Sequence, residues 1–509
     1  GQLQRFLREL HKKHFLNDSL YKKIYPTGSQ PSRLYGLPKI HKVSNISDIP
    51  PFRPIVSSIG SYNYDLARYL CELLTPFIPV DHCTKDSFTF VKEVQEVSKS
   101  EFFMVSYDVC SLFTNIPLDE SINIAVDLIC ENYENLNITK DELRQLFVFA
   151  TSQTHFLFNG MVFDQIDGVA MGSPLGPALA NLFMGFNEKE WLKSDQASSV
   201  RFYRRYVDDI FCFFNHEHEA DAFLEFLNSR HANIKFTVEK EQNKQLPFLD
   251  ILNDNNDQFT TSVYRKKTFT GLLLNQTSFT PTSYKTGLIH TLIDRTFHLN
   301  STWIGFDTDL KKLKSILQRN EYLPKKIDSC VRKYLNSKLC ETTETPLSEE
   351  DKTRFYKLPY VGYYSNYAQK RLNNVIHKLC KPGTSIKLVF TSFKLNQFFG
   401  NKDQIPFALK SFVVYKFVCR SCSASYIGET SRHLTTRIHE HLCTDKKSHV
   451  YRHLNRSPEC KMSCDDSCFS ILDHAKSKYG LKIKEGMHIK WLQPSLNKQV
   501  KSLITSISV

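Results

Sequence analysis

The stretch FYRRYVDDIFCFF, residues 202–214, decides the fold that this sequence predicts. Aromatic and apolar residues on both sides of Asp208 and Asp209 predict two strands joined by a tight acidic turn. Adjacent carboxylates repel each other, and burying them in so apolar a hairpin is costly unless a cation compensates their charge. The pair therefore favours a metal site over an ordinary turn.

A second predicted strand ends on a carboxylate. The apolar run from Phe102 to Tyr107 ends on Asp108 and is typical of a buried strand. Nucleotidyl transfer uses two divalent cations roughly 3.5–4 Å apart, and oxygen ligands converging from separate strands suit Mg²⁺. A single Asp at a strand end is more often a turn former or a cap, so the prediction depends on all three carboxylates.

Length and charge agree with a polymer-binding enzyme. The 509 residues correspond to roughly three domains of about 150 residues each. Lys and Arg number 66 against 53 Asp and Glu, a net charge of +13. This excess favours a polyanionic partner, of which nucleic acid is the usual one, although simple solubility is the alternative.

Neither a membrane span nor a secretion signal is evident. No apolar run approaches the roughly 18 residues that cross a bilayer, so we expect no membrane partner. The 14 cysteines include six between Cys419 and Cys468 that lie among histidines. Without a secretion signal, such clustering suggests metal before disulfide and a reducing compartment, cytosol or nucleus.

Several strings match one known family in order and spacing. They are YGLPKIHK (35–42), PFRPIVSS (51–58), SYDVCSLFTNIP (106–117), GVAMGSPLGPALANLF (168–183), YVDD (206–209), LPFLDIL (246–252) and VYRKKTFTG (263–271). The middle three resemble motifs A, B and C of reverse transcriptases. The others resemble Penelope-like elements, which are relatives of telomerase reverse transcriptase.

The resemblance implies a role for each matching residue at a polymerase centre. Asp108 and Asp208 would be the main ligands of Mg²⁺ or Mn²⁺, with Asp209 supporting them and the Val109 carbonyl completing a metal shell. Nucleotide-binding residues would be Lys39, Arg53, Val109, Phe113, Gly172 and Ser173.

Two of these nucleotide-binding assignments have a physical rationale and an open alternative. An aromatic ring at Phe113 would collide with a ribose 2′-hydroxyl and so favour deoxynucleoside triphosphates, although plain core packing is the alternative. Gly172, like Gly168, would let the backbone approach the nucleotide, although a structural turn is the alternative. Arg53 would offer a bidentate fork to the triphosphate.

A basic segment follows the predicted palm. It carries Arg265, Lys266, Lys267, Lys311 and Lys312, with Lys314, Lys325 and Lys326 beyond them. Basic helices beside a palm resemble a thumb that grips a duplex backbone, and such phosphate contacts position without specifying sequence. A solvated charged face is the alternative.

The string SFVVYKFVCRSCSASYIGETSRHLTTRIHEH (411–441) resembles a GIY-YIG endonuclease. Its triplet Tyr426-Ile427-Gly428 is intact, whereas Val413 stands where that family has its first Gly. The resemblance implies one Mg²⁺ on Glu485, water activation by Tyr415 and Tyr426, phosphate stabilisation by Arg437, and a supporting Asn497.

Cys419 and Cys422 have zinc-knuckle spacing. Penelope-like elements carry a CCHH site in this nuclease, so the resemblance implies structural Zn²⁺ on these two with His441 and His453, or His449 as a substitute. His441 also fits the nuclease centre. Cys460, Cys464 and Cys468 leave open a second zinc, shared with Cys443 or His474, or simple helix packing.

The sequence thus predicts an α/β protein with a right-hand polymerase fold, followed by a small α+β nuclease with a zinc-binding insertion. The predicted divisions are a basic extension (1–30), fingers and palm (31–265), a helical thumb (266–340), a linker (341–404) and the nuclease (405–509).

The predicted function is target-primed reverse transcription in the nucleus, after synthesis in the cytoplasm. The nuclease would nick target DNA, and the freed 3′-hydroxyl would prime copying of the element's RNA. The alternatives are telomere-type or terminal synthesis with an inactive nuclease, and a non-catalytic RNA-binding scaffold. The sequence leaves the oligomeric state open.

Overall fold

The computed structural model describes all residues except 41–48, 98–101, 134–136, 153, 167, 257, 340–352, 380–385, 393, 395–401 and 498–509. The end of the first fingers motif and the start of the predicted linker lie outside the described residues. The chain divides into two compact units. The first comprises Gly1–Pro79, Ser111–Phe186 and Asn401–Val509, and the second comprises Val80–Cys110 and Asn187–Gly400.

The described residues form helices along the whole length of the chain. In chain order they are α1 (Gln2–Lys12), α2 (Asp18–Ile24), α3 (Tyr64–Leu74), α4 (Ser87–Val97), α5 (Leu112–Asn115), α6 (Leu118–Asn132), α7 (Lys140–Thr151), α8 (Leu175–Trp191), α9 (Glu217–Arg230), α10 (Thr282–Leu299), α11 (Trp303–Arg319), α12 (Pro324–Leu339), α13 (Tyr363–Leu379), α14 (Leu434–His439), α15 (His449–Leu454), α16 (Pro458–Ser463) and α17 (Lys478–Leu492). None of these described helices is long and apolar enough to cross a membrane.

The strands of the described residues alternate with these helices. In chain order they are β1 (Ser32–Pro38), β2 (Phe52–Ser57), β3 (Phe103–Val109), β4 (His155–Phe158), β5 (Met161–Asp164), β6 (Phe202–Tyr206), β7 (Asp209–Phe214), β8 (Phe236–Lys240), β9 (Gln245–Phe248), β10 (Ile251–Asp254), β11 (Thr260–Val263), β12 (Arg354–Pro359), β13 (Ile386–Thr391), β14 (Val413–Val418), β15 (Ser425–Thr430) and β16 (Phe469–His474). The mixed α/β class predicted from the sequence is confirmed.

The first unit holds two sheets. One has the order β2-β1-β4-β5, in which β1 pairs antiparallel with β2 and parallel with β4. The other has the order β15-β14-β16 and is antiparallel throughout. Buried Val413, Tyr415 and Phe417 of the central strand β14 form its core with Leu434 of α14 and Phe469 of β16.

The central sheet of the second unit is the palm that the sequence predicts. Its order is β6-β7-β3-β8, with antiparallel pairing along every edge. Aromatic residues decide where it packs, because Phe90 of α4 lies against Phe211 of β7 and Phe248 of β9 with ring centroids 5.1 and 4.8 Å apart. Rings of this size bury a large apolar area and dominate core energetics.

The remaining parts of the second unit have their own packing. Helices α10, α11 and α12 share a core that includes Ile289, Ile293, Leu313, Leu317 and Val331. A three-stranded sheet has the order β11-β10-β9, and β12 pairs with β13 in parallel.

Candidate functional sites

The three palm carboxylates lie on adjoining strands of one sheet. Asp108, near the end of β3, is directly opposite Asp209, the first residue of β7. Opposed residues on one face have Cβ atoms about 4.5–5.5 Å apart. Asp208 precedes β7 in the turn, and its carbonyl accepts a hydrogen bond from the Val109 amide at 3.0 Å. The pairing therefore brings the three residues to one edge of the sheet.

These carboxylates are more accessible than the apolar sequence around them suggests. Asp108 is exposed and Asp208 and Asp209 are half-buried, whereas Tyr107, Val109 and Ile210 beside them are buried. The strand alternation sends the apolar neighbours into the core and leaves the acids at the rim. An accessible, all-oxygen donor set fits Mg²⁺ or Mn²⁺. Asp108, Asp208 and Asp209 would hold the ions.

A buried ion pair supports this acidic turn. Val207 has a φ of +59°, which is a strained conformation for a β-branched residue. Arg205 donates a hydrogen bond to the Val207 carbonyl at 2.9 Å and another to the Glu188 carboxylate at 2.6 Å. Burial alone would lower the pKa of Arg205, but the Glu188 carboxylate raises it, so this arginine is charged. Sequence reasoning missed Arg205 and Glu188, although Arg205 lies within the acidic hairpin itself.

In the first unit, the predicted triphosphate-binding residues occupy the end of one hairpin. Arg53 of β2 pairs with Leu37 of β1, and the Lys39 amide donates a hydrogen bond to the Pro51 carbonyl at 2.8 Å. Arg53 is exposed and Lys39 is half-buried. The antiparallel register therefore brings both cations to the same end of the hairpin.

The predicted glycine turn also lies in the first unit, against the same hairpin. Gly172 has a φ of +133°, and a Cβ there would lie 2.3 Å from the Val56 carbonyl oxygen. A Cβ on Gly168 would lie 2.7 Å from the Phe113 carbonyl oxygen, which accepts the Val169 amide at 2.7 Å. Glycine is thus required for backbone packing, which supports the structural-turn alternative for both positions.

Two further predicted nucleotide-binding residues flank this turn. Ser173 donates its amide to the Ala170 carbonyl at 3.0 Å and is half-buried just before α8. Phe113, in the short helix α5, is also half-buried. Because the residue is not fully buried, its role as a steric gate stays a prediction.

The predicted duplex-binding cations belong to the second unit, and several are already paired. Arg265 and Lys312 both contact buried Asp309, at 3.4 and 3.2 Å, and Lys311 contacts Asp307 at 2.6 Å. Lys266 lines a cavity together with Arg265 and Arg295. Lys267 follows it and is exposed. The contacts with Asp309 hold part of this charge in place and reduce the free charge that duplex phosphates would meet.

The C-terminal sheet gathers most of the predicted nuclease residues. The Tyr415 hydroxyl is 2.6 Å from His441 Nε2, and Arg437 Nε donates to the same hydroxyl at 3.3 Å. Arg437 is held in turn by Glu440 at 2.7 Å and Asp445 at 3.2 Å. The guanidinium is thereby oriented before any phosphate arrives.

Glu485 of α17 acts electrostatically on the same group. Burial and the nearby Glu429 raise the pKa of Glu485 to about 7, with Arg437 opposing them. Burial raises the pKa of Tyr426 above its ordinary value, and the Glu485 carboxylate adds to this. A divalent cation would offset the charge of such a buried carboxylate, so Glu485 fits the predicted role of metal ligand.

Two contacts at β15 fix the shape of this candidate site. The Asn497 side chain accepts the Ile427 amide at 2.9 Å and donates to the Ile427 carbonyl at 2.7 Å, so it clamps β15. A Cβ on Gly428 would lie 2.5 Å from the Tyr415 hydroxyl oxygen. The glycine is needed here for close approach, and Val413, in place of the family's first glycine, is buried in β14.

A cluster of cysteine and histidine side chains in the first unit has the donor atoms of a zinc site. The ligand atoms of Cys419, Cys422, His453 and Cys460 all lie within 4.8 Å of one another. Cys422 Sγ is 3.8 Å from Cys460 Sγ and 3.5 Å from His453 Nε2. Zn–S bonds of about 2.3 Å in a tetrahedron place two sulfur atoms about 3.8 Å apart, so the spacing and the donor types match a structural zinc site.

The sequence predicts His441 as a zinc ligand, but His441 does not lie in this cluster. Its ring is fully buried between the Tyr415 and Ser448 hydroxyls. Burial lowers the pKa of His441 to about 3, so the ring is neutral and links the two hydroxyls. Cys460 takes the fourth position instead.

Cys460, Cys464 and Cys468, which would share one face of a helix, pack in one core cluster although only Cys460 lies in α16. Helix α16 ends at Ser463, so Cys464 and Cys468 lie beyond it. Cys464 Sγ is 3.6 Å from Cys419 Sγ, at the edge of the zinc cluster. Within the described part of the chain, no second group of three His, Cys, Asp or Glu ligand atoms lies within 4.8 Å of one another.

Comparison with known families agrees with the palm geometry. Residues 40–254 match the family model for reverse transcriptase (RNA-dependent DNA polymerase), so the chain contains a reverse transcriptase domain. Residues 272–332 match the animal helix-turn-helix domain, which covers α10, α11 and the beginning of α12. The sequence patterns did not predict this second match. A search of curated proteins gives no match.

Solved polymerases resemble the chain weakly. A Candida albicans telomerase in complex with a fragment of telomeric RNA shares 11% identity at a TM-score of 0.41, covering 64% of this chain and 58% of that one. The Sicinivirus 3Dpol RNA-dependent RNA polymerase shares 12% at 0.40, covering 64% and 71%. An apo telomerase from Candida tropicalis shares 11% at 0.36, covering 61% and 57%. This chain thus spans little more than half the length of the telomerases.

Proposed function

We propose that this protein is the RNA-directed DNA polymerase and endonuclease of a Penelope-like mobile element, working by target-primed reverse transcription. The observation that carries the polymerase half is the register of the palm, which sets Asp108 opposite Asp209 with Asp208 in the adjoining turn. Accessible carboxylates on adjoining strands are the arrangement that nucleotidyl transfer needs.

In this proposal each polymerase residue has one task. Bound Mg²⁺ supplies activation of the primer 3′-hydroxyl and neutralises charge on the triphosphate. Asp108 and Asp208 hold the ions, with Asp209 and the Val109 carbonyl supporting them. Lys39 and Arg53 bind the triphosphate. Phe113 excludes the ribose 2′-hydroxyl, so the product is DNA.

The nuclease half rests on the hydrogen-bonded group of Tyr415, His441 and Arg437. The neutral His441 ring bonds the buried Tyr415 hydroxyl and gives it a proton partner. The Arg437 guanidinium stabilises charge that builds on a phosphodiester. Glu485 holds the divalent ion, and Tyr426 orients the attacking water. The product is a nick with a free 3′-hydroxyl.

Joining both activities in one chain has a kinetic benefit. A tethered nuclease raises the effective concentration of the primer end for the polymerase. The thumb cations Arg265, Lys266 and Lys267 would bind the phosphate backbone of the duplex without reading its sequence. Such a reaction on chromosomal DNA places the protein in the nucleus after synthesis in the cytoplasm.

One reaction tests the whole proposal. The protein is mixed with element RNA, end-labelled duplex DNA, deoxynucleoside triphosphates and Mg²⁺, and the strands are separated on a denaturing gel. We expect a nick without triphosphates and an extended nicked strand with them. Asp208→Asn should keep the nick and lose the extension. Glu485→Gln should lose the nick but still extend a pre-nicked duplex.

The control is Asp127→Asn, which changes an exposed carboxylate paired with Lys140. It should leave both products unchanged. Loss of nicking in Asp208→Asn would contradict two separate centres. Extension of DNA ends without any nick would favour the telomere-type alternative, and absence of both products would leave only a scaffold.

A further inference from the structure

A segment after the thumb has an unusual composition. Residues 353–391 contain seven Lys or Arg and no Asp or Glu. In the described part of this segment, β12 and β13 pair in parallel and α13 connects them. A partner of the same sign would be repelled from such a segment, so its charge complements a polyanion.

Large aromatic side chains on this segment face solvent. The exposed fraction is 79% for Tyr363, 74% for Tyr364 and 54% for Tyr367 on the helix, and 62% for Phe355 on β12. Scattered single exposures are ordinary, but a group of exposed apolar side chains on one small segment marks an interaction site. Aromatic rings also offer flat faces that stack on unpaired bases.

Aromatic and basic side chains lie beside each other on α13 and on the sheet. Tyr363, Tyr367 and Arg371 follow one another at intervals of four residues, so they line one side of α13. The Arg371 guanidinium lies 5.2 Å from the centroid of the Tyr367 ring. On the sheet, exposed Phe355 is in register with exposed Lys387.

We propose that this aromatic–basic surface, the face of α13 formed by Tyr363, Tyr367 and Arg371, binds single-stranded RNA. A positive groove with stacking aromatics is the physical pattern of single-strand binding, whereas duplex bases are already stacked and unavailable. Two copies of this surface carry like charge and would repel each other, so a second copy of the chain is not the partner. The choice of RNA rests on the proposed function, in which the template is RNA, and tyrosine hydroxyls can contact the 2′-hydroxyl.

The test measures binding apart from synthesis. Fluorescence anisotropy is recorded with a labelled 20-nucleotide oligouridine and full-length protein carrying Asp208→Asn, which cannot extend. The double change Tyr363→Ser/Tyr367→Ser should weaken binding by about 10-fold or more, since stacking strength is lost at two positions. Tyr363→Phe/Tyr367→Phe keeps the rings and should bind within about twofold of the parent.

A matched control and a salt series separate stacking from charge. Tyr479→Ser removes a tyrosine of similar exposure (76%) from helix α17 and should leave the affinity unchanged. Arg371→Gln should reduce the slope of log K against log salt by about 0.7, the value for one phosphate contact on a single strand. The serine pair should weaken binding without changing that slope.

Two results would overturn the inference. One is unchanged oligouridine affinity in the serine pair, and the other is equal or tighter binding of oligothymidine, which would assign the surface to DNA. The proposed polymerase can fail independently, because it fails when the protein without any substitution does not extend a short primer on an RNA template. Because these side chains are exposed, equal melting temperatures in the variants should confirm that folding is intact.

Discussion

Arg205 and Glu188 form an ion pair of 2.6 Å in which neither side chain is exposed to solvent. The same arginine bonds the carbonyl of Val207, which has a left-handed backbone conformation just before Asp208. A second buried group, the Tyr203 hydroxyl, donates to Glu188 at 2.6 Å. The turn that carries Asp208 and Asp209 is therefore supported by a buried polar cluster.

Glu188→Gln should destabilise the protein and slow the polymerase. Removing one partner leaves the Arg205 charge buried and uncompensated, which costs about 3–5 kcal/mol. We expect a lower urea midpoint and a reduced kcat for primer extension, with a smaller change in KM for the triphosphate. Both are measured at a temperature at which the variant is folded.

The control for this prediction is Glu93→Gln. Glu93 pairs with Arg204 at 3.2 Å, but both side chains are about a quarter exposed. Loss of such a pair should cost only about 0–1 kcal/mol. In addition, Glu188→Gln/Arg205→Met removes the buried charge and should recover part of the stability but not the kcat. Full recovery of kcat would show that Arg205 has no positioning role.

Gly428→Ala should damage the proposed nuclease centre. The new methyl group would lie 2.5 Å from the Tyr415 hydroxyl, so the ring must move away from His441 and Arg437. Overpacking of this kind costs about 1–3 kcal/mol. We expect DNA nicking to fall while primer extension on a pre-nicked duplex persists. Nicking assays on supercoiled plasmid measure this.

A second glycine provides the comparison for Gly428→Ala. Gly486 lies in helix α17, and a Cβ there meets open space. Gly486→Ala should therefore be neutral or slightly stabilising, because alanine favours the helix by about 1 kcal/mol. Equal nicking by the two variants would argue against a steric requirement at Gly428.

Zinc content should follow the cluster seen in the structure. Cys460→Ser removes one of four ligands and should lower bound zinc from one ion per chain towards none. His441→Asn should keep the zinc, because His441 contacts Tyr415 and Ser448 instead. Metal analysis by mass spectrometry after dialysis checks both, and Cys443→Ser, which changes an exposed cysteine, is the control. If His441→Asn loses zinc and Cys460→Ser keeps it, the predicted ligand set with His441 is correct instead.

Phe113→Ala should relax sugar selection. Removing the ring opens space beside the ribose 2′-hydroxyl, so kcat/KM for ribonucleotides should rise by about 10-fold or more relative to deoxynucleotides. Single-nucleotide incorporation measures the ratio. The matched control is Phe163→Ala on β5, where an exposed ring is removed. An unchanged ratio would return Phe113 to a packing role.

Local sequence patterns predicted the parts of the sites that form within short stretches. The hairpin around Asp208 and Asp209 and the strand before Asp108 are confirmed, because strand alternation and an acidic turn are properties of neighbouring residues. The α/β class follows from the same patterns. The individual roles at the polymerase and nuclease sites remain predictions.

Contacts between residues that are far apart in the sequence could not be predicted from local patterns. Glu188 precedes Arg205 by 17 residues on a different element, and nothing in the spacing marks them as partners. Cys460 follows Cys422 by 38 residues, yet the fold brings their sulfur atoms to 3.8 Å. The four-residue spacing of Cys464 and Cys468 does not reflect a helix, because α16 ends at Ser463.

The sequence by itself determined the strand before Asp108, the acidic hairpin at Asp208 and Asp209, and the tyrosine-bearing strands, because each of these elements forms within one short stretch of chain. Only the tertiary structure decided that His441 bonds Tyr415 while Cys460 joins Cys419, Cys422 and His453 in the candidate metal cluster. The physical reason is that a buried histidine must find hydrogen-bond partners for both ring nitrogens among the side chains packed around it. Which partners are within reach depends on the packing of distant segments, not on their spacing in the chain.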